Sequence, residues 1–250
     1  EAEERQARGS IGESGNAVSG RSRKEMSTAV NFETLPARMR SLPVDDRGYP
    51  VPWFVAWVDG KPEFRAMDPE KFVRAIREKL CWVCGQRLCV YVCFVAGPMC
   101  GVNRTSSEPP SHLECAKWSA ENCPFLSNPR MVRREDEQIN NERLRENAAG
   151  IALTRNPGVA MLWVTRQFEV FRTEKGPLIQ MGEPERVEWF CQGRCATRKE
   201  VEESVATGLP SLMAIAAQER GGIEALNRSI CQFHKYLPLP EKLVQESAHV

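Results

Sequence analysis

Histidine is scarce in this chain of 250 residues, which contains only three. Because histidine is the most frequent general acid–base residue and a common metal ligand, this scarcity narrows the enzyme classes that the chain can represent. An excess of charge of one sign is also missing, since 34 Lys and Arg face 33 Asp and Glu. The net charge of +1 gives no global attraction to nucleic acid or to an anionic membrane, so such contacts would need a local patch.

Long apolar runs and several familiar catalytic motifs are absent too. No run approaches the roughly 20 apolar residues of a spanning helix, so we expect no membrane span. There is no P-loop, no G-x-G-x-x-G and no H-E-x-x-H. His112-Leu113-Glu114 matches half of the zinc-deaminase pattern, but no P-C-x-x-C follows it. An HNH-type nuclease needs a histidine besides its ligands, and the next one is His234. These absences argue more against an enzyme than for one, although a Cys/His nucleophile pair stays open.

Cysteine, by contrast, is abundant. The chain has ten cysteines, and seven of them lie between positions 81 and 123, namely Cys81, Cys84, Cys89, Cys93, Cys100, Cys115 and Cys123. The first residues show no basic stretch followed by an apolar one, so we expect a cytoplasmic protein without disulfides. In that setting a dense cysteine cluster indicates metal binding or catalysis, whereas an isolated residue such as Cys231 suits simple packing.

Two short-spaced pairs within the cluster have the spacing of zinc ligands. Cys81-x-x-Cys84 is followed by Gly85, and 27 residues then separate Cys84 from His112-x-x-Cys115. A tight turn can aim both sulfurs of the first pair at one point. Ser111 and Glu114 read as a capping box, which would place His112 and Cys115 in the first turn of a helix. A knuckle, a hairpin and a helix that supplies the last two ligands are typical of a treble-clef module, so we predict a structural Zn²⁺ site.

Other roles for these cysteines stay open. Cys100 and Cys123 are possible substitute ligands, whereas Cys89 and Cys93 fit packing positions on a strand. Cys191-x3-Cys195 could form half of a second site, but no partner pair is visible. A catalytic metal would keep an open coordination position, and Glu108 or Glu114 would then serve as the acid or base.

The chain as a whole predicts an α+β fold, an antiparallel sheet with helices into which the zinc module is inserted. Strand composition begins at Val51, Asp59-Gly60 marks a hairpin turn, and Asp68-Pro69 starts a helix that runs to about Leu80. A strand is expected from Leu88 to Ala96, and further strands are expected from Val159 to Cys191. Thr197 begins a capped helix that Gly208 and Pro210 break, and a last helix covers 223–236.

The predicted units are a disordered tail at 1–25, an arm, hairpin and helix at 26–80, the zinc module at 81–126, a charged connector at 127–150, strands and helices at 151–237 and a loose tail at 238–250. Met26 is a candidate natural start.

Binding residues are predicted beside the zinc module. The loop before its helix concentrates hydrogen-bonding groups, among them Arg104, Ser106, Ser107 and Glu108, and the metal would fix its end. An exposed Trp82 could stack on a nucleic acid, or it could cover the zinc knuckle. A plain solvent loop is the alternative for residues 103–110.

Several stretches of the chain resemble an uncharacterised family of bacterial and phage or prophage proteins. The resemblance spans about residues 34–220 and rests on the segments 42–45, 52–55, 81–86, 97–100, 106–112, 123–126, 193–194, 196–198 and 208–210. The family pattern includes Cys81, Cys84, Cys100, His112, Cys115 and Cys123, but not Cys89, Cys93, Cys191 or Cys195. No activity is implied. With the zinc prediction, the resemblance suggests a zinc-stabilised cytoplasmic binding protein of phage or mobile-element type. Its partner would be nucleic acid or a nucleic-acid-processing protein, and the alternative is a metal-dependent nuclease or nucleotide hydrolase.

Overall fold

The structure is a computed structural model that describes residues 32–128 and 156–240. The predictions for the tail at 1–25, for Met26, for most of the connector at 127–150 and for residues 241–250 lie outside these ranges. Within them, no helix is long and apolar enough to cross a membrane.

A hairpin and a capped helix precede the cysteine cluster. Strand β1 (Val55–Val58) pairs with β2 (Lys61–Met67) across Asp59 and Gly60, which both have positive φ angles, as the predicted hairpin turn requires. Helix α1 (Pro69–Glu78) begins at Asp68, whose carboxylate accepts hydrogen bonds from the backbone of Glu70 and Lys71. The first strand is shorter than predicted, because Trp53 and Phe54 form a turn before it.

The cysteine-rich region continues the chain into a larger sheet. Strand β3 (Val92–Ala96), helix α2 (Pro98–Asn103) and strand β4 (Thr105–Ser106) follow the Cys81–Gly85 knuckle, and helices α3 (Leu113–Asn122) and α4 (Pro124–Ser127) end the first described range. The predicted hairpin of a treble clef is reduced to one antiparallel bridge between Cys93 and Ser111. Strand β3 instead pairs with β5 (Ala160–Thr165), so the module shares its strand with the rest of the fold.

The later strands form two antiparallel sheets. After β5 come β6 (Phe168–Thr173), β7 (Gly176–Met181), β8 (Pro184–Cys191) and β9 (Arg194–Cys195). One sheet has the order β3-β5-β8-β9, and the other has the order β4-β7-β6. Every residue of β5 is buried, because helices cover both faces of the first sheet. Phe94, Met161 and Trp163 face the main core, whereas Leu162 and Val164 pack against α3.

The C-terminal helices pack on the main core. The predicted capping box of Thr197 and Glu200 is present at the start of α5 (Arg198–Ala216), and α6 (Gly222–Phe233) matches the last predicted helix. The predicted break at Gly208 and Pro210 is wrong, since α5 runs through both residues. The close approach of Gly208 to Met99 of α2 shows that packing holds this turn in helical form despite the proline.

The α+β class is therefore confirmed, with helices and antiparallel sheets around one main core and a smaller cluster at the knuckle. Two cysteine predictions are wrong. Cys89 precedes the strand rather than lying on it and is exposed, and Cys231 is exposed on α6. Cys93 is fully buried between β3 and α3, as its predicted packing role requires.

Candidate metal centre

Four side chains from the two predicted pairs meet at one buried point. The sulfur atoms of Cys81, Cys84 and Cys115 and a ring nitrogen of His112 all lie within 4.8 Å of one another. All four residues are buried, and Cys81 and Cys115 have no exposed surface. A tetrahedral zinc ion with bonds of about 2.0–2.3 Å needs ligand atoms about 3.5–3.8 Å apart. The donor set suits one such ion, and the separations of its atoms, at most 4.8 Å, lie within about 1 Å of this spacing.

The knuckle of Cys81 to Gly85 aims the first two sulfurs. The Gly85 amide donates to the Cys81 carbonyl over 2.8 Å, and the Cys81 amide donates to the Gln86 carbonyl over 2.7 Å. Gly85 has a φ of +72°, which a residue with a side chain rarely adopts. An added Cβ there would lie 2.6 Å from the indole ring of Trp53. Both the backbone conformation and the lack of space therefore favour glycine at position 85.

Helix α3 presents the other two ligands at its first turn. His112 is the N-cap, and Cys115 lies three residues later within the helix. The predicted cap at Ser111 is wrong, because the backbone of Ser111 is bonded to Cys93 on β3 and the helix begins one residue later. The backbone amide of His112 points instead at the Cys81 sulfur, 3.3 Å away. The Cys84 amide also donates to this sulfur over 3.4 Å.

The backbone carbonyl of Arg87 fixes the imidazole ring. The Nε2 atom of His112 lies 2.9 Å from this oxygen, while Nδ1 faces the thiols, 3.4 Å from the Cys84 sulfur and 4.0 Å from the Cys115 sulfur. Because a carbonyl only accepts, Nε2 carries the hydrogen and Nδ1 is the available ligand atom. The contact between His112 and Arg87 was not predicted. It uses the backbone carbonyl of Arg87, and a residue's type does not indicate what its backbone contacts.

Hydrogen bonds within the group shift the pKa values of three of its members. The side chains of Cys81 and Cys84 hydrogen-bond to His112 and raise its pKa to about 10. Burial alone would raise the pKa of Cys81, but hydrogen bonds from Cys115, Cys84 and His112 outweigh burial and lower it. The pKa of Cys115 is raised, mainly because its thiol donates to Cys81. Hydrogen bonds within the site therefore favour the thiolate form of Cys81, which is the form that binds a metal.

Arg38 from the N-terminal arm covers this region. Its guanidinium donates to Glu114 over 2.9 Å and to Gln86 over 3.4 Å, and it lies 3.8 Å from the Cys89 sulfur. The hydrogen bond to Glu114 raises the pKa of Arg38. Glu114 is therefore engaged in an ion pair rather than directed at an open metal position.

The prediction of an exposed Trp82 is wrong, and the alternative of a covering role agrees with the structure. Trp82 is only 3% exposed. Its ring stacks on Phe54 at 4.9 Å and makes edge contacts with Trp53 and Phe72. This aromatic cluster packs the hairpin and α1 against the knuckle, so Trp82 has no face left to stack on a nucleic acid.

Cys100 and Cys123, the possible substitute ligands, are not part of the ligand group. Within the described residues, the only cluster of this kind contains Cys81, Cys84, His112 and Cys115. Cys100 packs against the main core, where burial raises its pKa to about 11. Burial also raises the pKa of Cys123, which lies between α3 and α4.

The predicted binding loop is ordered by contacts of its own. Ser106 is buried, its hydroxyl donates to the Glu108 carbonyl, and it accepts from the Glu108 amide. Arg104 pairs with Glu183 at 2.7 Å, and its carbonyl accepts from the Met181 amide. Ser107 is half-buried. The structure thus joins Arg104 to β7 and to the turn that follows it rather than to the metal centre, and the binding role of the loop stays a prediction.

Comparisons of the chain with models of protein families, with curated proteins and with solved structures found no match.

Proposed function

We propose that the protein holds one structural zinc ion at Cys81, Cys84, His112 and Cys115. The observation that carries the proposal is the convergence of four buried donor atoms within 4.8 Å of one another. With zinc, the same donors tie the knuckle to the start of α3.

Zinc is the metal that this donor set favours. Thiolate and imidazole ligands suit zinc, whereas calcium and magnesium prefer carboxylate and carbonyl oxygens. Four protein ligands close the coordination shell, and a catalytic zinc would keep a position for water. The pairing of Glu114 with Arg38 also supports a structural role over the alternative of a nuclease or nucleotide hydrolase.

Beyond the metal, we propose a cytoplasmic, zinc-stabilised binding protein that engages nucleic acid. The resemblance to phage and prophage proteins supports a role in a phage or mobile element. The charges of the metal-bearing segment support nucleic acid as the partner. Between Glu78 and Glu108 the chain has three basic residues, Lys79, Arg87 and Arg104, and no acidic residue. A nucleic-acid-processing protein is the other partner that this role allows.

The experiment has two parts. Metal content is measured by inductively coupled plasma mass spectrometry on protein purified without added metal, and one zinc per chain is expected. A mobility-shift titration at low salt then uses single-stranded and double-stranded oligonucleotides, since phosphate contacts weaken as salt rises. Absence of zinc would reject the metal site, and absence of any complex at low salt would reject nucleic acid as the partner.

A further inference from the structure

The segment from Gln86 to Tyr91, here called the knuckle loop, is held in place by the metal centre. Its first residues are tied by three backbone contacts, because Gln86 accepts from Cys81, Arg87 accepts from His112 and Leu88 donates to Lys79. Its far end leads directly into β3. A short loop with both ends fixed can present side chains in defined positions.

The knuckle loop turns cationic and large side chains outward. Arg87 is exposed, as is Lys79, which is bonded to the loop through its backbone. Val90 is 72% exposed and Tyr91 is 45% exposed. Both side chains are therefore accessible to a ligand.

Arg166 supports Tyr91 from the neighbouring turn between β5 and β6. Its guanidinium carbon lies 4.8 Å from the centre of the tyrosine ring, and it donates a hydrogen bond to the Tyr91 hydroxyl. Glu185 pairs with Arg166 at 3.0 Å and so fixes the guanidinium in turn. The tyrosine ring is therefore oriented, with part of its aromatic surface still open to solvent.

Two of the cations on this surface lack an acidic partner among the described residues. Neither Lys79 nor Arg87 forms a salt bridge within residues 32–128 and 156–240. Glu78, just before Lys79, is already bonded to Arg74 and Arg77. A polyanion can thus reach two cations that pair with no described acidic residue, at the start of the segment whose far end carries the oriented tyrosine.

From this arrangement we infer that the knuckle loop binds single-stranded nucleic acid. Lys79 and Arg87 contact phosphates, and Tyr91 with Val90 packs on an unpaired base. A single strand is favoured over a duplex because stacking requires a base face, which a duplex keeps inside. The inference rests on the proposed function, since the metal centre fixes the loop, and it names the surface and the form of nucleic acid.

The test measures fluorescence anisotropy of labelled single-stranded and duplex oligonucleotides with the zinc-loaded full chain. The double variant Lys79→Ala/Arg87→Ala is compared with Arg172→Ala/Lys175→Ala, which removes the same charge from the exposed hairpin of β6 and β7. Tyr91→Ala is compared with Phe171→Ala, which removes another exposed aromatic side chain. Zinc content is measured for every variant.

The knuckle-loop double variant should weaken single-strand binding at least about 10-fold and lower the salt slope by about 1.4, since each phosphate contact contributes about 0.7. Tyr91→Ala should weaken it about 5- to 150-fold, the range for loss of one stacked base. The two control variants should stay within about 2-fold of the unchanged protein.

Equal losses in the controls, or duplex binding as tight as single-strand binding, would overturn the inference. A zinc-loaded protein that binds no single strand would also overturn it and would leave the knuckle loop to a protein partner, with the metal site intact. A protein without zinc would instead reject the proposed metal site, so the two failures are distinguishable.

Discussion

The imidazole of His112 is clamped by the carbonyl of Arg87, with 2.9 Å between Nε2 and the oxygen. This bond leaves Nδ1 to face the three thiols, and it joins the ligand from α3 to the loop that follows the knuckle. One contact therefore sets both the ligand atom and the position of the exposed Arg87 side chain. This hydrogen bond therefore links the metal centre to the proposed binding surface.

Substitution of one ligand should remove the metal. Cys81→Ser is expected to lower zinc affinity more than about 100-fold, because loss of an outer hydrogen-bond partner alone costs about 10- to 100-fold. Thermal unfolding should shift to lower temperature, since zinc binding contributes to folding free energy. The matched control is Cys231→Ser, which changes an exposed cysteine on α6 and should leave zinc content and unfolding temperature unchanged.

Zinc binding should release protons at neutral pH. In the metal-free protein the pKa of His112 is raised from 6.5 to about 10, and that of Cys115 is also raised, so both are protonated at pH 7. At least two protons should leave when zinc binds, and zinc affinity should fall as the pH is lowered. Isothermal titration calorimetry in buffers of different ionisation enthalpy measures this number, and a value below one would contradict the description of the site.

In the metal-free protein, the free energy of unfolding should fall at high pH. The folded pKa of His112 lies above the unfolded value, so its pairing with the thiolates stabilises the metal-free protein below about pH 6.5. This contribution is lost as the pH rises toward 10. The lowered pKa of Cys81 acts with the opposite sign below about pH 9. Chemical unfolding of the metal-free protein should therefore show its loss of stability mainly between pH 9 and 10, and His112→Gln should reduce this loss. An unchanged loss in that variant would assign the effect to other groups.

Gly85→Ala should destabilise the knuckle by more than a positive φ angle alone explains. The conformational cost of alanine there is about 1–2 kcal/mol, and the added methyl group also meets the Trp53 ring. Gly60→Ala is the matched control, because Gly60 has a φ of +76° and open space around its Cβ position. Urea unfolding should show the larger loss for Gly85→Ala, and equal losses would show that Trp53 yields without cost.

The capping box of α5 should make a separate, acid-sensitive contribution. Thr197→Ala is expected to cost about 1 kcal/mol, the usual loss for an N-cap. A hydrogen bond from Arg194 lowers the pKa of Glu200 from 4.5 to about 2. The stabilisation from Glu200 is therefore present above about pH 4.5 and is lost as the pH falls toward 2. Urea unfolding of Glu200→Gln should differ from the unchanged protein at pH 6 and converge with it near pH 2.

Local signals in the sequence predicted much of this fold. The Asp59-Gly60 turn, the Asp68 cap and the Thr197 capping box depend on residues near one another in the chain, and each is present. The two ligand pairs were predicted for the same reason, since each pair lies within one turn. The continuation of α5 through Pro210 was not, because packing against α2 decides it and the sequence does not show that contact.

Long-range pairing explains the remaining differences. Ser111 reads as a helix cap by spacing, but its backbone is used by β3, and this moves the cap to His112. The pairing of β3 with β5 joins the module to the main sheet, although Val95 and its partner Leu162 are 67 positions apart in the sequence. Trp82 reads as an exposed ring beside a knuckle, yet Phe54 and Phe72 from earlier elements bury it.

The zinc content of the protein tests the central claim most directly. The chain is purified without added metal and with mild reductant, and its zinc is quantified by inductively coupled plasma mass spectrometry together with the Cys81→Ser variant. One zinc per chain in the unchanged protein and less than a tenth of that in the variant is the predicted result. A protein that folds with no bound zinc, and whose unfolding temperature Cys81→Ser does not change, would contradict the account.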